Sequence, residues 1–250
     1  MASWSTKRRF GYFLAFVLLV VLVVGLPVFF SFYKSPTCAD GKKNGNEKDI
    51  DCGGSCVRLC PADFAAPRAL CSYSAGVAPG IYNALAYAEN PNQSVYAEKV
   101  GYTFRLYDSA GLLVAEKRGE TLVPAGQKFA VFESGIRTGQ RVPLKTTFEF
   151  SDVSEWKSGK ATPNPRVLSI DLEQGDSPRA EVKVSNDSAN LTLSSLDVFI
   201  IIYDEADSRM AFSKTRLDAI APRQTKTLYF TWPGAFPRPS VRKEVLFMAH

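Results

Sequence analysis

The chain opens with one long apolar segment and continues with short stretches in which apolar and polar positions alternate. From Phe10 to Phe32 no side chain carries a formal charge at neutral pH. A helix rises about 1.5 Å per residue, so this run would be roughly 34 Å long, and a hydrocarbon core is about 30 Å thick. A single segment can satisfy its backbone polar groups in lipid only as a helix. The pattern predicts a transmembrane helix over residues 10–33, whose partner is the lipid bilayer.

A basic cluster precedes this helix at Lys7, Arg8 and Arg9. Basic residues that flank a span stay in the cytoplasm, which predicts a cytoplasmic N-terminus over residues 1–9 and an extracytoplasmic C-terminus. One alternative is a cleaved signal peptide, whose apolar core has about 7–15 residues and ends in a small-residue site. Another is a lipoprotein acylated at Cys38. The apolar run is longer than a signal core and bulky residues follow it, so the sequence favours a single-pass cell-membrane protein.

Beyond residue 63 the apolar positions follow the two-residue period of half-buried strands. One such stretch places Val100, Tyr102, Phe104 and Leu106 on the same face. The run 198–203 is continuously apolar, which predicts a central strand. Because no later segment has a helical period, the sequence predicts antiparallel β-sandwiches.

The strand pattern occurs twice. Without a gap, an offset of 96 superposes residues 86–111 on residues 182–207. A tandem duplication explains this and predicts a first sandwich over 63–152 and a second over 166–250. They are joined by a polar linker, 153–165, whose prolines favour an extended connection. The superposed pairs include Asn90 with Asn186, Tyr107 with Tyr203, and Asp108 with Asp204.

All five cysteines lie between residues 38 and 71. Outside the cytoplasm thiols oxidise, and a segment of about 25 residues is too small to form a core without covalent links. The sequence predicts a disulfide-rich module over residues 34–62, with two disulfides of undetermined pairing, and leaves Cys71 unpaired. A zinc or iron–sulfur site is the alternative, but it suits a reducing compartment and no histidine is nearby. The disulfide candidates are Cys38, Cys52, Cys56 and Cys60.

The same module alternates oxygen-bearing side chains with glycines. Ca²⁺ takes about six to eight oxygen ligands in flexible geometry, so Asp40, Asn44, Glu47 and Asp51 are candidate calcium ligands. Their spacing departs from the EF-hand pattern. The alternative is a turn-rich loop in which these side chains make local hydrogen bonds with the backbone. No other cofactor is predicted.

Two parts of the chain resemble known families. The module from Cys38 to Cys60 is similar to a CxDGxxNxxExxxDCGGxCxxC motif of bacterial surface and secreted proteins, with three residues instead of two in its last spacing. This implies an extracytoplasmic setting. The strands TFRLYD and FIIIYD resemble the FxLYD family, which implies an all-β ectodomain of two tandem antiparallel immunoglobulin-like β-sandwiches with a binding or spacer role. The matching positions are Phe104, Leu106, Tyr107 and Asp108, then Ile200, Ile202, Tyr203 and Asp204.

No catalytic arrangement is predicted. The one histidine is His250, so Ser–His and Cys–His pairs lack a base. The net charge of +5 is partly accounted for by the basic cluster before the helix, and no basic stripe indicates nucleic-acid binding. The sequence predicts a non-enzymatic surface protein, of bacterial type, that binds or scaffolds an extracytoplasmic protein or cell-wall partner. The alternatives are a calcium-responsive structural module of the cell envelope and an enzyme with an unrecognised site.

Overall fold

The N-terminal apolar segment is helical. The computed structural model describes residues 4–32 and 35–249. Helix α1 spans Trp4–Val20 and helix α2 spans Leu26–Phe32. The prediction of one N-terminal apolar helix is confirmed, although its predicted end at residue 33 lies outside the described residues.

A π-helical turn, Val21–Gly25, joins the two helices. The amide of Leu26 donates to the carbonyl of Val21, one residue farther back than in an α-helix. Pro27 follows at once, and proline lacks an amide and crowds the turn before it. The wide turn gives the proline ring room, so helical structure continues beyond it. The stretch Arg8–Val28 is long and apolar enough to cross a membrane, and none of it is buried within the protein.

Antiparallel strands make up most of the rest of the described chain. A short 3-10 turn, Pro61–Asp63, precedes them. The strands are β1 (Arg68–Ala78), β2 (Ile81–Glu89), β3 (Val95–Tyr107), β4 (Leu113–Val123), β5 (Lys128–Arg137), β6 (Lys145–Phe150), β7 (Lys157–Ser158), β8 (Arg166–Glu173), β9 (Arg179–Ser185), β10 (Leu193–Tyr203), β11 (Arg209–Ile220), β12 (Thr225–Thr231) and β13 (Arg242–Ala249).

These strands form two sheet pairs with the same strand order. In the first sheet pair, sheet β1-β2-β5 packs on sheet β4-β3-β6, and β7 adds to β3. In the second sheet pair, sheet β8-β9-β12 packs on sheet β11-β10-β13. The second pair therefore repeats the first strand for strand, with β10 in the place of β3. The predicted β-rich, antiparallel class is confirmed.

Each sheet pair encloses an apolar core built from alternate residues of its strands. In β3, Val100, Phe104 and Leu106 are fully buried in the first core, as the two-residue period of a strand requires. In β9, Ala180 and Val182 are equally buried in the second core. The alternation in the sequence therefore marks the inner face of each sheet.

Strand β10 is buried on both faces. Ile200 and Ile202 point into the second core, whereas Phe199 and Ile201 belong to the first core. The two sheet pairs consequently share a continuous apolar interior. This double burial explains why the run 198–203 is apolar at every position, since no residue in it faces water.

The segment predicted to be a linker, residues 153–165, is instead packed on the first sheet pair. Trp156 is 2% exposed within the first core, and its ring centroid lies 6.0 Å from that of Phe64. The next two residues form β7 and pair with Val95 and Tyr96 of β3. The segment predicted to be an extended linker is therefore held against the first sheet pair, because one large aromatic side chain buries enough apolar area to fix a polar segment.

The chain divides into two compact units between Val57 and Arg58. The second unit contains both sheet pairs, so the predicted sandwiches are not separate compact bodies. The predicted cysteine module, residues 34–62, does not coincide with a unit, because Cys60 belongs to the second one. Its first residue, 34, lies outside the described residues.

Candidate functional site

The cysteines between residues 38 and 60 are oxidised. Cys38 and Cys56 are joined by a disulfide, and Cys52 and Cys60 are disulfide-bonded as well. The Cys71 thiol is free. Potential ligand atoms of Cys38, Glu47 and Cys56 lie within 4.8 Å of one another, but two of them are disulfide sulfurs. Zinc and iron–sulfur clusters need thiolates, which these four cysteines no longer supply.

The four candidate calcium ligands lie in one loop and hydrogen-bond within it. Asp51 accepts hydrogen bonds from the amides of Asp40, at 2.9 Å, and Gly41, at 2.9 and 3.1 Å. Glu47 accepts from the Asn44 amide at 3.1 Å. Asn44 donates through its side chain to Asp40 at 2.9 Å, and this bond holds the pKa of Asp40 below its usual value.

These contacts are those of a hydrogen-bonded turn. One side-chain oxygen of the set, Oδ1 of Asn44, is buried and has no hydrogen-bond donor. An oxygen in this position is the kind of atom that Ca²⁺ coordinates. Calcium binding by Asp40, Asn44, Glu47 and Asp51 therefore stays a prediction.

The two signature strands end in equivalent turns. In the first, Oδ1 of Asp108 accepts hydrogen bonds from the amides of Ala110 and Leu112, both at 3.0 Å. In the second, Oδ1 of Asp204 accepts from the amides two and four residues farther on, at 2.9 and 2.8 Å. An aspartate that bonds its own backbone in this way fixes a turn. Both aspartates are thus engaged in the fold.

A buried asparagine recurs at the offset of 96. Asn90 is 1% exposed and donates to the carbonyls of Val95 and Pro124, at 2.9 and 2.8 Å. Asn186 is also 1% exposed and donates to the carbonyls of Leu191 and Ile220, at 2.7 and 3.0 Å. Each amide ties the loop after one strand to a later turn. These asparagines are structural.

A tyrosine–glutamate cluster lies where the two sheet pairs meet. The hydroxyls of Tyr87, on β2, and Tyr203, on β10, are 2.8 Å apart. Tyr203 donates to Oε2 of Glu244 on β13, and the single Tyr87 proton is shared between the Tyr203 oxygen and the same carboxylate oxygen, which lies 3.0 Å from the Tyr87 hydroxyl. Burial is the main cause that raises the pKa of both phenols above the usual value. The Glu244 carboxylate adds to the effect at both, whereas the hydrogen bond between the two hydroxyls raises the pKa of Tyr87 and lowers that of Tyr203.

Two arginines cover this cluster. The guanidinium carbon of Arg209 lies 4.4 Å from the ring centroid of Tyr73 and 5.1 Å from that of Tyr203. The guanidinium carbon of Arg242 lies 3.4 Å from the Tyr203 ring, and its nitrogens bind Asp207 at 2.6 and 2.9 Å. Cation–π contacts of this kind are worth about 0.5–2 kcal/mol. The residues therefore stabilise the boundary between the sheet pairs.

This boundary was not predicted from the sequence. Its signal was present in β10, where apolar residues at the outward positions 199 and 201 exceed what one core requires. Cys71 lies close by on β1, opposite Tyr87. Burial is the main cause that raises the pKa of Tyr73, and a hydrogen bond with the Cys71 side chain adds to the effect.

A cavity of about 370 Å³ opens on the outer face of the first sheet pair, and we call it the β7 cavity. Its walls come from β3, the turn between β4 and β5, the segment after β7 and the end of β13. No predicted site residue lines it. The residues that matter for its chemistry are Tyr96, Leu122, Pro124, Gln127, Lys160 and Thr162.

Comparison with known proteins identifies no family. No family model matches the sequence, and no curated protein matches it. Among solved structures, the chain is similar to red sea bream transglutaminase, with 10% sequence identity and a TM-score of 0.24. The match covers 74% of this chain and 31% of that one. The chain thus spans less than a third of that protein's length. A similarity at this TM-score says nothing of the activity of the present chain.

Proposed function

We propose that this chain is a single-pass membrane protein whose two sheet pairs form immunoglobulin-like domains of the FxLYD type outside the cytoplasm. There they serve as a non-enzymatic binding or scaffold unit of a bacterial-type envelope. The observation that carries the proposal is the helix over Arg8–Val28, whose apolar side chains have no protein packed against them. Lipid supplies the apolar environment that such a surface requires.

The cysteines support the extracytoplasmic placement. The disulfides at Cys38–Cys56 and at Cys52 and Cys60 begin a few residues after the helix. Disulfides persist in oxidising compartments and are rare in the cytoplasm. Because Arg8 and Arg9 lie at the N-terminal end of the apolar span, the positive-inside tendency supports an extracytoplasmic position for the oxidised cysteines.

The architecture supports a scaffold role. The FxLYD-like strands supply core residues, such as Phe104 and Ile202, and turn formers, such as Asp108, so they leave no reactive group free for chemistry. The shared interior, with Phe199 and Ile201 in the first core, holds the sheet pairs as one body. A rigid body is suited to presenting loops and strand edges to a partner at low entropic cost.

Protease treatment of intact cells tests the placement. With an epitope at the C-terminus, we expect protease to remove the epitope and leave the protein in the membrane fraction. Changing Lys7, Arg8 and Arg9 together to glutamate should weaken this orientation, because the flanking charge sets it. A protected epitope, or a mature chain that starts after Phe32, would contradict the proposal.

Photo-crosslinking tests the binding role. A photoreactive residue at Leu144, which is 77% exposed, or at Tyr229, which is 57% exposed, should capture a neighbouring envelope component. The buried position Leu106 is the matched control and should capture only the chain itself. If neither exposed position gives a product and deletion of the protein leaves the envelope unchanged, the binding role fails.

A further inference from the structure

The β7 cavity lies over the outward-facing residues at the start of β3. In β3, Val95 and Ala97 point into the first core, so Tyr96 and Glu98 point outward. Strand β7 pairs with Val95 and Tyr96 and carries the following segment across this outer face. The cavity lies between that segment and the turn from β4 to β5.

One wall of the cavity is formed where Tyr96 packs closely on Gly159. Its amide donates to the carbonyl of Ser94 at 2.9 Å, and a Cβ on this residue would come within 2.6 Å of the Tyr96 ring. The Tyr96 ring therefore packs closely against the Gly159 backbone and forms one side of the cavity. A preformed wall of this kind reduces the ordering cost of binding.

The floor of the cavity is apolar and small. It is lined by Leu122, Pro124, Ala125 and Ala249. The volume, about 370 Å³, is at the lower end of the range of about 300–1,000 Å³ for small-ligand sites. The space thus suits the end of a short chain or a small organic molecule.

Two side chains that line the cavity can donate hydrogen bonds to a ligand. The side-chain nitrogen of Gln127 is buried and has no acceptor. Lys160 is exposed and makes no ion pair with any described residue. The carboxylate on the rim, Glu98, is already bound by Lys157 at 2.7 Å. A buried donor without an acceptor is costly, and a ligand that accepts its hydrogen bond removes that cost.

We propose that the β7 cavity binds a carboxylate carried on a small apolar body, as at the C-terminal end of a peptide. One oxygen accepts from Gln127, and the charge is balanced by Lys160 in a charge-assisted hydrogen bond. Because Lys157 already neutralises Glu98, Lys160 is the one cation left to balance a ligand among the described residues that line the cavity. This favours a monoanion over a phosphate, which would bring a second negative charge. The methyl or methylene groups of the ligand pack on Leu122 and Pro124.

This inference names a ligand class for the binding role proposed above and rests on it. A calorimetric titration of the purified full chain in detergent tests it, with acetyl-Ala-Ala carrying a free carboxylate as the probe. The same dipeptide with a C-terminal amide and sodium acetate alone are the comparison ligands. Because purified protein is used, a failed titration leaves the results on anchoring and crosslinking untouched.

We expect the free acid to bind roughly tenfold or more tightly than the amide, as expected for loss of a charge-assisted hydrogen bond. Acetate should bind more weakly than the dipeptide acid because it leaves the apolar floor empty. Equal binding of acid and amide, or no saturable heat up to about 10 mM acid, would overturn the proposal.

Lys160→Met supplies the matched variant, since it keeps the length of the side chain and removes its charge. It should abolish the preference for the acid. Lys226→Met changes an equally exposed lysine on β12 and should leave the preference intact. Gln127→Leu should lower the affinity for the acid and for the amide by similar factors, because either ligand offers a carbonyl oxygen. An acid preference that survives Lys160→Met would also overturn the proposal.

Discussion

The hydroxyls of Tyr87 and Tyr203 meet at 2.8 Å across the boundary between the two sheet pairs. Tyr203 donates to the Glu244 carboxylate, and Tyr87 shares its proton between Tyr203 and that carboxylate. Three side chains from β2, β10 and β13 thus form one hydrogen-bonded group. Elsewhere the boundary includes apolar contacts: the rings of Phe132 and Phe212 lie 6.2 Å apart, edge to face. The polar group therefore fixes the alignment of two surfaces that apolar burial holds together.

Removing either phenol should loosen this alignment. We expect Tyr87→Phe and Tyr203→Phe each to lower the free energy of unfolding by about 0.5–1.5 kcal/mol, the usual net worth of a hydrogen bond. Because the two hydroxyls are bonded to each other, the double variant should cost less than the two single costs added together. Urea unfolding of all four proteins measures this, and strict additivity would contradict it.

The same phenols predict an alkaline limit of stability. An unfolded tyrosine ionises near pH 10, and both pKa values are raised in the folded protein. The stabilising effect of the neutral phenols is thus fully present below about pH 10 and is lost as the pH rises above it. In Tyr87→Phe the free energy of unfolding should decrease less with rising pH. Urea unfolding at pH values between roughly 9 and 11 measures this.

The outer face of β10 should stabilise the first sheet pair as well as the second. Ile201 is fully buried within the first core, so we expect Ile201→Ala to cost about 2–5 kcal/mol. Amide exchange should quicken in β2 and β5 as well as in β10. Leu168→Ala, at a residue 46% exposed on β8, should cost little. Exchange that quickens only within the second sheet pair would argue against a shared interior.

The paired asparagines should be equally costly to remove. Asn90→Ala and Asn186→Ala each take the donors away from two carbonyls, and each unsatisfied buried group costs about 1–3 kcal/mol. Asn190→Ala is the control, because Asn190 is exposed. Thermal unfolding of the three variants checks this. A large loss at one site and none at the other would show that the two loops are not equivalent.

Asp51 should hold the cysteine loop closed. Its carboxylate accepts hydrogen bonds from the amides of Asp40 and Gly41. We expect Asp51→Ala to speed reduction of the Cys38–Cys56 disulfide by dithiothreitol, followed by mass spectrometry of alkylated peptides. Lys43→Ala, at an exposed position in the same loop, should leave the rate unchanged.

The same variant separates the two interpretations of this loop. If calcium binds there, titration of the full chain with Ca²⁺ gives heat that Asp51→Ala abolishes, and the ion slows disulfide reduction. If the loop is only a turn, neither effect occurs at about 1 mM Ca²⁺, a concentration that fills extracellular calcium modules.

The helix, the antiparallel strands and the repeat were predictable because each leaves a periodic pattern in the sequence. Burial of Val100, Phe104 and Leu106 follows directly from alternation. The packing of Trp156 did not follow, because a single aromatic residue in a polar segment has no period. The boundary between the sheet pairs was equally hidden, since the run 198–203 satisfies the pattern of any central strand and does not reveal what covers its second face.

The candidate site was the least predictable part. Gln127, Gly159 and Lys160 are ordinary loop residues. Gln127 lies about thirty positions before the other two, and no spacing rule links them. Their proximity depends on the pairing of β7 with β3, a contact between residues far apart in sequence. The cysteines were easier to interpret, because oxidation state follows from composition and compartment.

The double burial of β10 sets an order of events while the chain is made. The first sheet pair is synthesised before Phe199 and Ile201, so its face with Tyr73, Tyr87 and Phe132 stays exposed to water until β10 has emerged. A nascent chain that pauses before residue 199 exposes this partly apolar surface to other chains. Chains that end before β10 are therefore expected to aggregate through this face.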